Sequence, residues 1–309
     1  MTKTTTTTSS RLGYGLILLA SVFYGNYGVL SRLMGDSFSP FYQTWVRSLV
    51  IMALMLPVLL ATKSFRRIER RDWPAMAVFV VFNICTQVPL YYAFNHAPIG
   101  AVQLVFYSMF IITAYMFGRF YLGESMTRLK LLSMALAFVG LALVFGVSVL
   151  TFAPLGLALA AFNGVASGGE NSSTKRLTDK YAPGLIIFWG WVFTFLTHLP
   201  LSLLLHEPQP MPALTPAWGY LLIYSVVNAT AFWLAIEGFR HVDASIGSLI
   251  GLTEVIFAII FSHLIFHEPI TWALTVGGAN IIVAAMLPDL INLLQHKKTP
   301  EPVEPVLQQ

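Results

Sequence analysis

A single cysteine, Cys85, stands in 309 residues. No disulfide framework is available, and cysteine usage reveals nothing about the redox compartment. Charge is nearly as scarce: Asp, Glu, Lys and Arg make up 10% of the chain, where soluble domains run at about a quarter. A water-soluble globule is therefore excluded. Short strands alternating in and out are missing too, and the apolar runs are too long and unbroken for an outer-membrane barrel. The chain has no H-E-x-x-H, no Walker loop, no G-x-S-x-G and no Cys/His cluster at metal-ligand spacing. No enzyme chemistry, cofactor or metal is expected from it. His206-Glu207-Pro208 and His267-Glu268-Pro269 are better explained as connections than as ligands, and no lipidation motif is present. Asn171-Ser172-Ser173 and Asn228-Ala229-Thr230 match the glycosylation pattern, but both fall on apolar segments and neither is expected to be modified.

What is present is apolar: 56% of residues, with a mean hydropathy of +0.71. A spanning helix needs about 20 apolar residues. Ten runs of that kind occur, at 12–34, 40–62, 73–95, 98–120, 129–149, 151–173, 184–206, 218–240, 243–266 and 271–294. The expected fold is all-α and integral to the membrane, with ten transmembrane helices. The first run is too long for a signal-peptide core and lacks a small-residue cleavage site, so it is expected to stay in the mature protein. Residues 1–11 and 296–309 read as disordered tails.

The basic residues are sorted by side. Alternate connections hold Lys3 and Arg11; Lys63, Arg66, Arg67, Arg70 and Arg71; Arg119, Arg128 and Lys130; Lys175, Arg176 and Lys180; Arg240; and Lys297 and Lys298. These are sixteen of the eighteen Lys and Arg; the opposite connections hold none, and Arg32 and Arg47 lie inside runs. By the positive-inside rule both termini are cytoplasmic. The net charge of +4 is then an orientation signal, and no nucleic-acid partner is needed to explain it.

The chain also repeats. Phe94 and His96 match Phe239 and His241 at an offset of 145, and Ala114, Glu124 and Thr127 match Ala258, Glu268 and Thr271 at an offset of 144. Residues 12–149 and 150–295 are thus two units of five helices. An odd number of spans per unit turns the second upside down, the inverted-repeat arrangement of secondary transporters.

Ten helices in two halves, Gly123-Glu124 with its counterpart His267-Glu268-Pro269-Ile270-Thr271, Tyr24-Gly25-Asn26-Tyr27 in the first helix and Arg47 early in the second resemble the EamA-type branch of the drug/metabolite transporter superfamily. The resemblance covers residues 12–294. It implies a basket of helices 1–4 and 6–9 around a central cavity, with helices 5 and 10 at the side. It also implies export or exchange of amino acids, other metabolites, vitamins or nucleotide-linked sugars. Where that family often has a proline in helices 4 and 9, this chain has Met109-Phe110 and Thr253-Glu254. Its first helix lacks the carboxylate on which the small four-helix multidrug antiporters depend.

Polar residues at membrane depth are expensive and point to function. Glu254, central in helix 9, is the candidate proton-coupling carboxylate or anchor for a substrate amine. Arg47 is set to pair with Glu254, to clamp a substrate carboxylate, or to hold helices together. Asn83, Gln87 and Tyr91 recur at spacing four and share one face of helix 3; Gln103 and Tyr107 do so in helix 4. Together with Tyr24, Asn26, Asn163 and Trp233 these are the candidate cavity residues; the alternative for each is interhelical hydrogen bonding. Glu170 and Glu237 are expected to reach cytoplasmic water, Lys175 or Arg240. Glu124 and Glu268 are expected to cap the helix that follows each. His96, His198, His241 and His263 read as interfacial or packed. Gly164-xxx-Gly168 and Gly247-xxx-Gly251 invite close helix approach, and Pro57, Pro89 and Pro200 invite kinks.

These features predict a secondary transporter that exports a small amphipathic metabolite such as an amino acid. Proton coupling is expected, in a monomer or homodimer of the inner or plasma membrane. The alternatives are export of drugs, vitamins or nucleotide-linked solutes, or a non-transporting receptor. Nucleotide-linked solutes would call for several cavity cations, and Arg47 alone qualifies.

Overall fold

The computed structural model describes residues 7–96, 99–145, 154–267 and 269–296, and side chains within 10–93, 102–145, 154–267 and 269–287. Glu268, Lys3, Lys297, Lys298 and the side chain of His96 lie outside the described residues, as do 146–149 and most of both expected tails. Among the described residues all regular structure is helical, with no strand. The helices are α1 (Thr7–Tyr24), α2 (Tyr27–Met34), α3 (Pro40–Ala61), α4 (Trp73–Thr86), α5 (Pro89–His96), α6 (Ile99–Met116), α7 (Arg128–Phe145), α8 (Pro154–Thr178), α9 (Pro183–Leu204), α10 (Pro216–His241), α11 (Ala244–Gly251), α12 (Thr253–Phe266) and α13 (Trp272–His296). Eight stretches of the described residues are long and apolar enough to cross a membrane. Three of the eight, Ser10–Ser37, Arg70–Ala93 and Ala244–Phe266, contain two helices each. Residues 7–11, expected to belong to a disordered lead, are helical.

The three interruptions are built from side chains that take up the carbonyls a broken helix frees. At Gly25-Asn26 the Asn26 backbone N–H turns to the Phe23 carbonyl, and the Asn26 amide donates to the abandoned Val22 carbonyl at 2.9 Å. Before Pro89, which has no N–H to give, the Asn163 amide of α8 donates to the Thr86 carbonyl at 2.7 Å. At Leu252 the Val255 N–H bonds Leu252 itself, and the Ser21 hydroxyl of α1 donates to the Gly251 carbonyl at 3.3 Å. Pro57 and Pro200, by contrast, lie inside α3 and α9, which run through them without a break.

Packing is pairwise. α1 lies on α10, α4 and α5 on α8, α3 on α9, α6 on α8, and α7 on α13. The Gly164/Gly168 face does allow close approach: a Cβ at Gly168 would sit 2.6 Å from the Phe110 carbonyl of α6, and one at Gly164 would strike the Phe106 carbonyl. Gly247 packs on Phe239 and Ile17, whereas Gly251 meets nothing within 4 Å and is not a contact. One large apolar cluster joins α1, α6, α7, α10, α11 and α13; another joins α3, α4, α9 and α10.

Several basic residues of the alternate connections make contacts at one end of the bundle. Lys180 meets Asp72 at 2.6 Å, Tyr181 donates to Asp72 at 2.8 Å, and the Arg66 guanidinium lies 5.1 Å over the Tyr181 ring. Arg240 pairs with Glu237 at 2.9 Å and donates to the Thr178 carbonyl, while Arg176 donates to the Tyr121 carbonyl. At the far end the Glu207 carboxylate accepts from the Phe41 and Tyr42 backbone N–H groups at 3.2 and 2.7 Å, capping α3.

Candidate functional site

The buried polar groups fall into three sets. The first is centred on Glu254, in the opening turn of α12 just past the Leu252 break. Tyr107 of α6 donates a 2.7 Å hydrogen bond to it, and the Tyr107 ring stacks on Phe145 with centroids 6.1 Å apart. Tyr24 of α1 lies within the electrostatic reach of both Glu254 and Glu170. No cation stands within ion-pair distance of Glu254 among the described residues.

Arg47 forms the second set, on α3. Its side chain is 5% exposed and its Nε has no hydrogen-bond partner. Instead of a carboxylate it faces rings: the guanidinium carbon lies 4.6 Å from the Tyr224 centroid and 6.0 Å from that of Trp191. The Tyr224 ring is met edge-on by Tyr27 at 4.9 Å, and Tyr27 by Tyr24 at 5.2 Å. Tyrosine rings therefore step from Arg47 to the neighbourhood of Glu254. The anticipated Arg47–Glu254 pair does not form; cation–π contacts with Tyr224 and Trp191 replace it.

The third set corrects the reading of helix 3. The break before Pro89 divides the stripe of Asn83, Gln87 and Tyr91. Asn83, fully buried, donates to Glu170 at 2.5 Å and accepts from Thr194 at 2.9 Å. Gln87 folds back on the Asn83 carbonyl at 3.2 Å and on Thr86 Oγ1 at 2.7 Å. Tyr91 belongs to α5, edge-on to Tyr92 at 6.4 Å. Asn163 and Asn26 are spent on the broken carbonyls described above, so both act as braces. Trp233 sits in the apolar cluster of α3, α4, α9 and α10, beside Gly184 and Leu59. Of these candidates, Tyr24, Arg47, Tyr107 and Glu254 gather into one arrangement, and Asn26, Asn83, Gln87, Tyr91, Asn163 and Trp233 are engaged elsewhere.

The carboxylates outside that centre also sort themselves. Glu237 reaches Arg240 as expected, whereas Glu170 is turned away from Lys175 toward Asn83. Glu124 caps a distant helix, α11, and not the adjoining α7: its carboxylate accepts from the Ala244 N–H at 2.6 Å and the Ser245 hydroxyl at 2.9 Å. The start of α7 is capped by Thr127, and the start of α13 by Thr271, through 3.2 and 3.3 Å bonds from the Lys130 and Leu274 N–H groups. His198 is packed, its Nδ1 3.0 Å from the Thr194 carbonyl.

Tyr27, Trp191 and Tyr224 escaped the sequence reading because an aromatic residue in an apolar helix looks like packing. Tyr27, three residues after Tyr24, was the available hint. Among the described residues no group of three or more His, Cys, Asp or Glu side chains converges as a metal site would require.

The family model described as EamA-like transporter family matches this chain twice, over residues 11–146 and 154–287. Protein PecM of Dickeya dadantii (strain 3937) is 22% identical over 219 residues, which are 70% of this chain and 73% of that protein. A solved crystal structure superposes with a TM-score of 0.77 at 19% identity, over 92% of this chain and 99% of its own. That likeness establishes a shared fold.

Proposed function

Because the chain belongs to the EamA-like transporter family, matched in both of its repeats, we propose that it is a secondary transporter of a small amphipathic metabolite such as an amino acid. It works by alternating access, outward across the inner or plasma membrane, with both termini cytoplasmic. Ten spans make up the unit: α1 with α2, α3, α4 with α5, α6, α7, α8, α9, α10, α11 with α12, and α13. The first five and the last five are inverted copies, about residues 12–149 and 150–295. Spans one to four and six to nine surround a central cavity.

Two features support the inversion. Exchanging the halves turns the α1–α10 pair into the α4/α5–α8 pair and the α6–α8 pair into the α1–α11/α12 pair. It maps α3–α9 and α7–α13 onto themselves, and all of these pack. Left-handed backbone also recurs at matching ends: Lys63 after α3 and His206 after α9, with φ of 53° and 54°, then Gly123 after α6 and His267 after α12, with φ of 74° and 56°.

The observation that carries the transport reading is a pair of ionisable groups without an ionic partner among the described residues, Arg47 buried in the first half and Glu254 half-buried in the second. The Tyr24–Tyr27–Tyr224 rings run between them. Such charges are retained at membrane depth where a solute or proton completes them. Arg47 and Glu254 are the electrostatic elements, Tyr24 orients the solute, and Glu254, held by the Tyr107 hydroxyl, couples transport to protons. A gradient supplies the drive. The test is counterflow of labelled amino acids by purified protein in liposomes. Glu254→Gln is expected to keep counterflow and lose uptake driven by a pH gradient; full gradient-driven uptake by that variant removes the coupling role.

A further inference from the structure

The polar atoms left unsatisfied around Arg47 and Tyr224 are all able to donate. Arg47 Nε, Trp191 Nε1 and the Tyr27 hydroxyl are each buried without a hydrogen-bond partner. The three come from α3, α9 and α2. The Arg47 guanidinium lies against two rings, 4.6 Å from the centroid of Tyr224 of α10 and 6.0 Å from that of Trp191, and Tyr27 meets Tyr224 edge-on at 4.9 Å. Arg47 is 5% exposed and Trp191 1% exposed, so bulk water does not stand in for the missing partner. Buried donors without acceptors are rare in folded proteins, and three linked through Arg47 and Tyr224, one of them cationic, specify the chemistry of a ligand. Such a ligand must be an acceptor, must carry negative charge to compensate the guanidinium, and must tolerate aromatic walls.

We propose that Arg47, Trp191 and Tyr27, walled by Tyr224, form a binding site for the carboxylate of an organic anion whose apolar body lies against the tyrosine rings. This deepens the transport reading and rests on it. The site fixes the carboxylate end of the solute, which makes the acid group, and not an amine, the obligatory recognition element. A planar guanidinium suits a planar carboxylate, with two parallel donors, and the Trp191 and Tyr27 donors add two directions that a point charge would not require. Trp191 and Tyr27 are accordingly specificity-determining residues. The charged and titratable groups facing Arg47 are Tyr27 on α2, Tyr224 on α10 and His198 on α9, the last within reach of the Arg47 charge. None of these is a carboxylate that would already occupy the site.

The test uses the purified full-length protein in lipid nanodiscs and calorimetric titration with three probes: 3-phenylpropionate, phenethylamine and sodium chloride. The expected result is saturable binding of 3-phenylpropionate, with phenethylamine weaker by about tenfold or more, the loss that follows when a charged hydrogen-bonding partner is removed. Arg47→Lys, which keeps the charge and loses the fork, lowers 3-phenylpropionate affinity by a similar factor. Tyr27→Phe keeps its ring and removes only a donor, and Trp191→Phe keeps an aromatic of smaller size and removes a donor. Each weakens it several-fold, so the assignment does not hang on whether an Arg47 variant folds. Equal affinity for the amine, or unchanged affinity in both phenylalanine variants, overturns the proposal. Saturable chloride binding with no binding of 3-phenylpropionate overturns it in favour of an inorganic-anion site. Counterflow in liposomes separates the two levels. Flux that persists with unchanged acid preference in Trp191→Phe and Arg47→Lys sinks the carboxylate site alone, and absence of flux for any solute in the unaltered protein sinks the transport reading.

Discussion

The Glu124 carboxylate, on the connection after α6, accepts a 2.6 Å hydrogen bond from the backbone N–H of Ala244, the first residue of α11. Ser245 donates to the same carboxylate through its hydroxyl at 2.9 Å, and Lys175 of α8 and Lys130 of α7 approach it at 3.2 and 3.7 Å. Both lysines also reach Asp243, at 3.7 and 2.7 Å. A buried carboxylate is tolerable when its lone pairs are filled and countercharges are close, and a helix N-terminus is a favourable place for it. Five segments are tied at the basic end of the bundle in this way.

Removing that tie should loosen α11 selectively. Glu124→Ala leaves the Ala244 and Ser245 N–H groups without an acceptor, at a cost of about 1–3 kcal/mol. Hydrogen exchange of a peptide spanning residues 244–248 is expected to speed up by roughly ten- to a hundredfold, the rate following the local opening energy. The far-end cap made by Glu207 on α3 should be unaffected. Unchanged protection at 244–248 would show that α11 is held by packing and not by Glu124.

The crossing of α8 and α6 depends on an absence of side chain. A Cβ at Gly168 would lie 2.6 Å from the Phe110 carbonyl, whereas one at Gly251 meets nothing within 4 Å. Gly168→Val should therefore lower the thermal midpoint by several degrees, the effect of overpacking by about 1–3 kcal/mol. Gly251→Ala is expected to leave it unchanged or slightly raised, since alanine favours a helix. Equal effects at both positions would mean that the close approach of α8 to α6 is not what Gly168 protects.

Asn83 separates structural from solute-contacting polarity. It is fully buried and holds α8 through Glu170 and α9 through Thr194. Asn83→Ala strands a buried carboxylate and is expected to destabilise by about 1–3 kcal/mol, and Thr194→Val, which removes one neutral bond, by about 1 kcal/mol. Thermal unfolding in one detergent checks the order. An Asn83→Ala protein of full stability with lost transport would return Asn83 to the solute site.

These contrasts show where sequence was sufficient. Length, apolar runs and the partition of Lys and Arg were enough to read an all-helical membrane protein, because those signals are local and the bilayer imposes them on any spanning chain. The Gly164/Gly168 contact was legible for the same reason. The break at Leu252 was not, since no proline marks it and the Gly251 carbonyl is satisfied from α1 by Ser21. Nor was the partner of Glu124 legible. A helix-capping carboxylate looks alike whether it caps its neighbour or a helix 120 residues away. Spacing placed Asn83 on a plausible face but could not tell a side chain that meets a solute from one that meets Glu170.

Tyr107 offers the sharpest separation of coupling from binding. Its hydroxyl donates to Glu254 at 2.7 Å, while its ring stacks on Phe145 at 6.1 Å and meets Phe106 at 4.8 Å. Tyr107→Phe keeps the ring contacts and deletes the donor alone, leaving a half-buried carboxylate without its hydrogen bond. Solute recognition is assigned to Arg47 and not to the Tyr107 hydroxyl, so counterflow should stay within about twofold of the unaltered protein. Uptake driven by a pH gradient should fall by about tenfold, the size of a lost charge-assisted hydrogen bond. The two assays on one preparation of liposomes give the ratio directly. A parallel drop in both would identify Tyr107 as a solute contact, and an unchanged ratio would detach the Tyr107–Glu254 bond from proton coupling.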